Sequence, residues 1–300
     1  QNALKWLLVT CFGYTGYKNA RFGRIEAHEA ICAWARDILL KTIAIAEEEG
    51  WTVLHAIVDC VWIHREDVPK QQKQLLARQF AKRVTEEIGI PLEYEDLYHF
   101  IGFLPSRMHG AGSLTKYWAY GAKGLKVRGI ESRQHSTCAW ISKLQDLALG
   151  IMIDCVNDGN DVTSNHVQSN ICNLLHDELH RLTNGQICLR ELIITRRVTK
   201  TLEQFTVSTL THSALLRADA MGHSIPPGRK ARFVVVRCDS SNPADRVILL
   251  EEIGNLSNVR IDVDYYRELA VRATWAILGP YGWTDEEIAA GSRSMTLFDF

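Results

Sequence analysis

The chain predicts an α+β fold: an antiparallel sheet region with packed helices, followed by a mainly helical domain. Three observations carry this. Long stretches with helical spacing flank a short β-rich segment, further strand-like pieces follow at close intervals, and from about Leu144 helical periodicity dominates. Ile25 to Glu49 reads as a helix, because Ala27, Ile31, Trp34, Ile38 and Ile45 recur near its period and Gly50 stops it. That apolar stripe is expected to pack. Thr52 to Ile63 is rich in Val, Ile and Trp and reads as two strands turning near Val58 and Asp59. A helix after Pro69 runs to about Ile88, with Leu76, Phe80, Val84 and Ile88 on one face. Leu97 to Leu104 and Lys126 to Ile130 are strand-like, separated by a loop from Pro105 to Gly112.

In the second half, Ser164 is a candidate cap for a helix from Asn165 to Thr183, with Asn184-Gly185 as its stop. A strand is expected at Cys188 to Val198, a helix near Thr209 to Met221, and a strand from Ala231 to Arg237 after the Pro226-Pro227-Gly228 turn. A last helix, Asp264 to Leu278, ends at Gly279-Pro280. The domains expected are residues 1–50 as an entry segment, 51–143 as the sheet domain and 144–300 as the helical domain with a tail.

Composition excludes more than it selects. Lysine and arginine number 34 against 35 aspartates and glutamates, so any polyanion must be held by local patches. The eight cysteines are scattered with no Cys-x-x-Cys pair, which argues against a zinc knuckle or a secreted disulfide framework and for a reduced cytoplasmic setting. No apolar run approaches the roughly 20 residues of a bilayer span, and no membrane partner is expected.

One motif points to metal hydrolysis. His176 and His180 stand four apart on a predicted helix, the spacing of zinc hydrolases. In those enzymes a glutamate follows the first histidine, whereas here Asp177 takes that place and Glu178 is displaced around the helix. The apolar stripe through Val167, Ile171, Leu174, Leu175 and Leu182 leaves both histidines on the polar side, the pattern of a solvated face.

Several segments, taken in order, resemble family B DNA polymerases. They are Ala3-Leu4-Lys5, Phe12-Gly13-Tyr14-Thr15-Gly16-Tyr17, Ala20-Arg21-Phe22-Gly23, the hairpin at Asp59, Leu114-Thr115-Lys116-Tyr117 and Lys126-Val127-Arg128-Gly129-Ile130-Glu131. Further on, Arg190 to Leu202, Ile225-Pro226-Pro227-Gly228 and Asp264-Tyr265-Tyr266 are similar to the family's thumb. The resemblance implies a palm followed by a thumb. It also implies that Gln1 falls in mid-domain, with the family's exonuclease domain, first carboxylate strand and most of the fingers lying upstream.

Nucleotidyl transfer in such a family uses two divalent ions bridged by carboxylates, Mg2+ by implication. The family's Asp-Thr-Asp-Ser hairpin aligns with Ile57-Val58-Asp59-Cys60, so Asp59 matches the second aspartate as catalytic and metal residue and Ile57 replaces the first. Isoleucine offers no oxygen to a hard cation, and the chain alone is expected to be inactive. A split enzyme, with an upstream polymerase half supplying the missing strand, is the alternative.

By the same resemblance Lys5 approaches the incoming triphosphate and Phe12-Gly13 takes the place of a Tyr-Gly near the nucleotide, while Val9 stands where the family has asparagine. Lys5 reads equally as a solvated lysine. Primer-template DNA is the implied partner. Lys116 and Tyr117 match the end of a Lys-Lys-Arg-Tyr element, Lys126, Arg128 and Arg133 add charge nearby, and Arg196, Arg197 and Lys200 form a second basic cluster. Gln134-His135-Ser136 departs from the family's Arg-Arg-Asp run. The tail from Ser294 resembles a sliding-clamp-binding peptide, with Met295, Leu297, Phe298 and Phe300 as anchors, and a short apolar tail also docks readily on its own domain.

Overall fold

The computed structural model describes residues 2–105, 112–254 and 259–291. It is an α+β structure in which the strands form three small antiparallel sheets, of two, three and three strands. The chain divides into two compact units, Gln1–Leu97 and Tyr98–Phe300.

In the first unit, α1 (Asn2–Thr15) and α2 (Ile25–Glu48) precede a hairpin of β1 (Thr52–Ile57) and β2 (Cys60–His64), and α3 (Lys70–Ile88) follows it. The hairpin makes a two-stranded sheet of its own, separate from the next three strands in sequence, because α3 intervenes in the chain. A core of Ile45, Ala46, Trp51, Phe80 and Val84 joins the end of α2 to α3, and Val53, Val61 and Ile63 bring the hairpin against it. Pro69 precedes the first turn of α3 and Gly89, at φ 78°, ends it in the left-handed conformation.

The expected stripe of α2 is buried only at its C-terminal end. Thr42, Ile45 and Ala46 are buried, but Ala27, Ile31 and Trp34 are exposed, Trp34 to 71%. Helix α1 has no buried residue although it is strongly apolar, and Trp6 is 70% exposed. Periodicity here fixed the helix and not the partner.

In the second unit, β3 (Tyr98–Pro105), β4 (Gly112–Gly121) and β5 (Gly124–Arg128) form a meander in the order β3-β4-β5. Strand β4 was not anticipated by the periodicity, though its Tyr117-Trp118-Ala119-Tyr120 run suits a pleated surface. Gly102 lies opposite Trp118, whose ring would sit 2.4 Å from any added Cβ, so only glycine admits the indole there. The Trp118 Nε1–H donates to the Ala276 carbonyl at 3.2 Å.

Helices α4 (Ala139–Asn157), α5 (Asn165–Thr183) and α7 (Val263–Leu278) pack on one another around Trp140, Leu144, Leu149, Ile171, Leu175 and Ile277. Helix α4 begins at Ala139, five residues before the predicted helical half, with the buried Cys138 as its N-cap. A second sheet has the order β6 (Ile194–Arg197), β7 (Lys230–Val235), β8 (Val247–Leu249), with α6 (Leu210–Ala220) against it. The fully buried Tyr266 ties this sheet to α7: its hydroxyl donates to the Leu192 carbonyl at 2.8 Å and accepts from the Val235 N–H at 3.1 Å. A last short helix, α8 (Asp285–Ala290), is closed by a capping box between Thr284 and Glu287. All eight cysteines are free thiols, and no described helix is long and apolar enough to cross a membrane.

Candidate nucleic-acid interface

The hairpin turns through two residues, Val58 and Asp59, between the paired Ile57 and Cys60. Two-residue loops match strand twist when a residue with positive φ occupies the turn, normally glycine or asparagine. Here Val58 takes that conformation, at φ 52°, and is the sole described non-glycine residue to do so. A β-branched side chain there is strained by about 1–2 kcal/mol. Its 74% exposure shows that no packing compensates for the strain. The strained turn projects Asp59, exposed and without a hydrogen-bond or ion-pair partner among the described residues, at the tip of the hairpin.

The donor set at this tip does not fit a pair of divalent ions. Ile57 supplies only carbon, Cys60 directs its thiol to the Ile57 carbonyl at 3.4 Å, and Asp59 is the one carboxylate within the turn. Among the described residues no group of three or more His, Cys, Asp and Glu side chains converges as a metal site. In α1, Lys5 is exposed, and Phe12 stacks on His28 with ring centroids 4.3 Å apart. The His28 Nδ1 lies 3.1 Å from the Thr15 hydroxyl, which pins the start of α2 to the end of α1. Gly13 has open space around it, so no close backbone approach within this chain requires a glycine there.

In the second unit, β4 and β5 align the basic residues in register. Arg128 lies directly across from Tyr117, and Lys126 from Ala119, so these four share one face, while Trp118 and Val127 face the core. Tyr117 is buried, its ring 5.8 Å from that of Phe103, and the Lys126 ammonium sits 6.0 Å from the Tyr98 ring centroid. Lys116 and Arg128 are exposed. Gly129 follows Arg128 at φ 69°, and an added Cβ would lie 2.3 Å from the Thr115 carbonyl oxygen, so the two basic strands are held together by a contact only glycine permits.

The turn carrying Arg133, Glu131–Arg133, is anchored by the fully buried Gln145. Its amide oxygen accepts from the Ser132 N–H at 2.7 Å, and its amide nitrogen donates to Glu131 and to the Ala273 carbonyl, each at 2.8 Å.

The second basic group lies on β6 and β7. Arg196 and Arg197 are exposed on β6, and Lys200 is exposed beyond it. Burial raises the Tyr265 hydroxyl pKa, and the positive charge of Arg196 acts in the opposite direction. The register brings in three cations that the sequence reading passed over: Lys230 pairs with Arg197, Arg232 pairs with Thr195, and Arg229 continues the ladder by accepting from the Val198 N–H. Their signal was in the sequence, in the Pro-Gly-Arg-Lys-Ala-Arg-Phe run, but a strand drawn from Ala231 cuts it in two.

The zinc-hydrolase geometry is not assembled. His176 and His180 are exposed on α5, His180 beside the Asn184 amide. Glu178 instead turns into the core, where Trp140 Nε1 donates to it at 2.8 Å and Arg181 pairs with it. The clamp-like residues Met295, Leu297, Phe298 and Phe300 lie outside the described residues.

The described residues thus present a carboxylate-tipped hairpin in the first unit, and an aromatic-and-basic meander and a basic strand pair in the second. The sequence profile of DNA polymerase family B matches residues 1–278, and the chain belongs to that family. It is 26% identical to a DNA polymerase of Archaeoglobus fulgidus over all of this chain and 37% of that protein. With DNA polymerase 2 of Aeropyrum pernix it shares 25% identity, again over the whole chain and 34% of the relative. DNA polymerase 2 of Saccharolobus solfataricus is 41% identical over a shorter stretch, 35% of this chain and 15% of that one. The chain thus spans about a third of the length of the first two relatives. The fold is similar to part of the family B DNA polymerase from Pyrobaculum calidifontis, with a TM-score of 0.62 over 92% of this chain and 33% of that chain, at 20% identity.

Proposed function

We propose that this chain is the palm-and-thumb part of a family B DNA polymerase that binds primer-template DNA and does not by itself catalyse nucleotide addition. The observation that carries the second half of this reading is the turn at Ile57-Val58-Asp59-Cys60, where one carboxylate stands in place of two. Phosphoryl transfer needs charge neutralisation at both the attacking and leaving oxygens. Mg2+, when bound between two carboxylates, supplies it in the family; a solitary exposed Asp59 lacks the ligands to position such ions.

DNA binding asks less of the geometry, since phosphates are held by positive charge and hydrogen-bond donors. Lys116, Lys126, Arg128 and Arg133 supply the first group in this reading, with Tyr117 acting through its buried ring, and Arg196, Arg197 and Lys200 supply the second. Lys5, Phe12 and Gly13 are the nucleotide-side residues. Binding of a primer-template duplex, followed by fluorescence anisotropy across a salt series, tests this. Neutralising Lys116 and Arg128 together is expected to weaken binding and to lower the slope of log affinity against log salt by about 2. No binding by the wild-type chain, or an unchanged slope in the double variant, would contradict the assignment.

The exposed apolar residues of α1 and α2, Trp6 and Trp34 among them, favour a second reading. A polypeptide equivalent to the remaining part of the relatives packs there and supplies further carboxylates, making a split enzyme. Co-purification of the two polypeptides, lost on Trp6→Ser with Trp34→Ser, supports it; primer extension that still fails in the reconstituted pair would refute it.

A further inference from the structure

We propose that the cleft between α3 and the segment following it is a docking site for a partner protein, engaged through a short acidic segment that carries an apolar side chain beside a carboxylate. The site lies wholly within the first unit and uses none of the basic residues assigned to DNA above.

Its construction starts at the end of the helix. Gly89 takes the left-handed conformation and turns the chain, and the Leu92 N–H then donates to the Thr85 hydroxyl at 2.9 Å, while that hydroxyl donates to the Ala81 carbonyl at 2.8 Å. The segment is thereby fixed on α3. Between them lies a cleft of about 380 Å³, lined by Arg78, Ala81 and Lys82 from the helix and by Leu92, Glu93 and Tyr94 from the segment. Ala81 is buried and Leu92 packs partly on the core of the unit, so the apolar part of the lining is rigid. The cations are unevenly committed. From Lys70 to Arg83 the helix carries Lys70, Lys73, Arg78, Lys82 and Arg83 and no carboxylate. Arg83 is taken up by Glu48, Glu49 and Glu87, and Lys82 lies 3.6 Å from Glu86. Arg78 has no carboxylate within ion-pair reach among the described residues, and its guanidinium lies over the Tyr94 ring, 4.6 Å from the centroid.

That stack decides what the cleft can hold. The ring covers one face of the guanidinium and leaves its N–H edges free, and those edges have the forked geometry that grips a carboxylate. Stacking also orders the side chain before any partner arrives. Leu75 stands three residues before Arg78 and Lys82 four after it, which puts all three on one face of the helix. Leu75 is 59% exposed. Arginine and tyrosine dominate the energetics of protein interfaces, and here they meet beside an apolar wall. The same set disfavours nucleic acid. Glu93 lines the cleft without an ion-pair partner among the described residues, and Glu95 and Asp96 follow it, so a run of phosphates would meet like charge. A peptide instead brings carboxylates to Arg78 and Lys82, backbone N–H donors to Glu93 and an apolar side chain to Leu75, Ala81 and Leu92.

The test uses the whole chain and fluorescence anisotropy with three labelled dodecapeptides: alternating aspartate and leucine, alternating aspartate and serine, and alternating lysine and leucine. The aspartate–leucine peptide is expected to bind saturably, and the other two more weakly or not at all. Arg78→Gln removes the fork and its charge and is expected to weaken that peptide about tenfold, whereas Arg78→Lys, which keeps the charge, recovers only part of the loss. Leu75→Ser is expected to weaken it about threefold. Lys143→Gln, an exposed cation on α4 in the second unit, is expected to leave it unchanged. Absence of saturable binding of the aspartate–leucine peptide by the wild type overturns the proposal. An equal loss in Lys143→Gln makes net charge responsible and overturns it as well. Equal binding of the aspartate–serine peptide reduces the site to ion attraction and does the same. If Arg78→Gln leaves the peptide unaffected and instead weakens a primer-template duplex, the face belongs to nucleic acid and the proposal fails.

Discussion

Replacing Gly129 by alanine separates a steric demand from a conformational one, because the same sheet contains a glycine with only the second. Gly124 has φ 94° and open space around it, whereas Gly129 has φ 69° and a Cβ position 2.3 Å from the Thr115 carbonyl oxygen. An L-residue in the left-handed region costs about 1–2 kcal/mol. Loss of glycine's freedom in the unfolded chain returns about 0.4–1 kcal/mol. Gly124→Ala should therefore destabilise by about 1 kcal/mol. Gly129→Ala carries the same balance plus the displacement of a backbone carbonyl, of the order of the 1–3 kcal/mol that overpacking costs, for a total of about 2–4 kcal/mol. Urea denaturation followed by tryptophan fluorescence measures both. Since the displaced strand bears Lys116 and the glycine follows Arg128, Gly129→Ala is also expected to weaken duplex binding under conditions where the variant remains folded, and Gly124→Ala is not. Equal stability losses in the two variants would refute the close-approach argument.

Two further outcomes follow from the geometry and one from the sequence of the tail. Tyr266→Phe leaves the buried Leu192 carbonyl and Val235 N–H without the hydroxyl that serves both, and should cost about 1–3 kcal/mol in urea midpoint analysis. At Glu252 burial opposes ionisation, but the hydrogen bond from Arg217, the Leu249 N–H and the Arg217 charge together hold the carboxyl below the usual range. A depressed folded pKa contributes stability above the usual carboxylate range and loses it as pH falls through that range toward the depressed value. The stability gap between wild type and Glu252→Gln, about 1–3 kcal/mol at neutral pH, should therefore narrow on acidification, and a constant gap would contradict the pairing. For the tail, deletion of Leu297 to Phe300 is expected to abolish capture by a sliding clamp in a pull-down, and unchanged capture would remove the clamp reading.

Local patterns fixed most elements, and long-range packing decided what they do. The hairpin turn at Val58-Asp59 and the helix after Pro69 were legible because strand composition, turn position and a helix-starting proline agree within a few residues. Strand β4 gives a weak sequence signal because Tyr117, Trp118 and Ala119 are all buried in succession, without the polar-apolar alternation of a half-buried strand. The burial of Glu178 was also hidden: its partner Trp140 lies 38 positions away, and no periodic rule places a carboxylate under an indole N–H. In the candidate site, the proposed parts of Asp59 and Ile57 come from the family resemblance, which follows one-dimensional order. The pairing of Arg197 with Lys230 was not legible in that order, since strand register sets it across a connection that contains α6.

Whether a duplex-bound chain extends its primer is the most direct test of the account. With anisotropy showing the primer-template to be held, incubation with all four deoxynucleoside triphosphates and either Mg2+ or Mn2+ is expected to give no product, and Ile57→Asp to give product only when a polypeptide equivalent to the remaining part of the relatives is supplied. Template-dependent extension by the wild-type chain alone would contradict the claim that one carboxylate at the hairpin is too few.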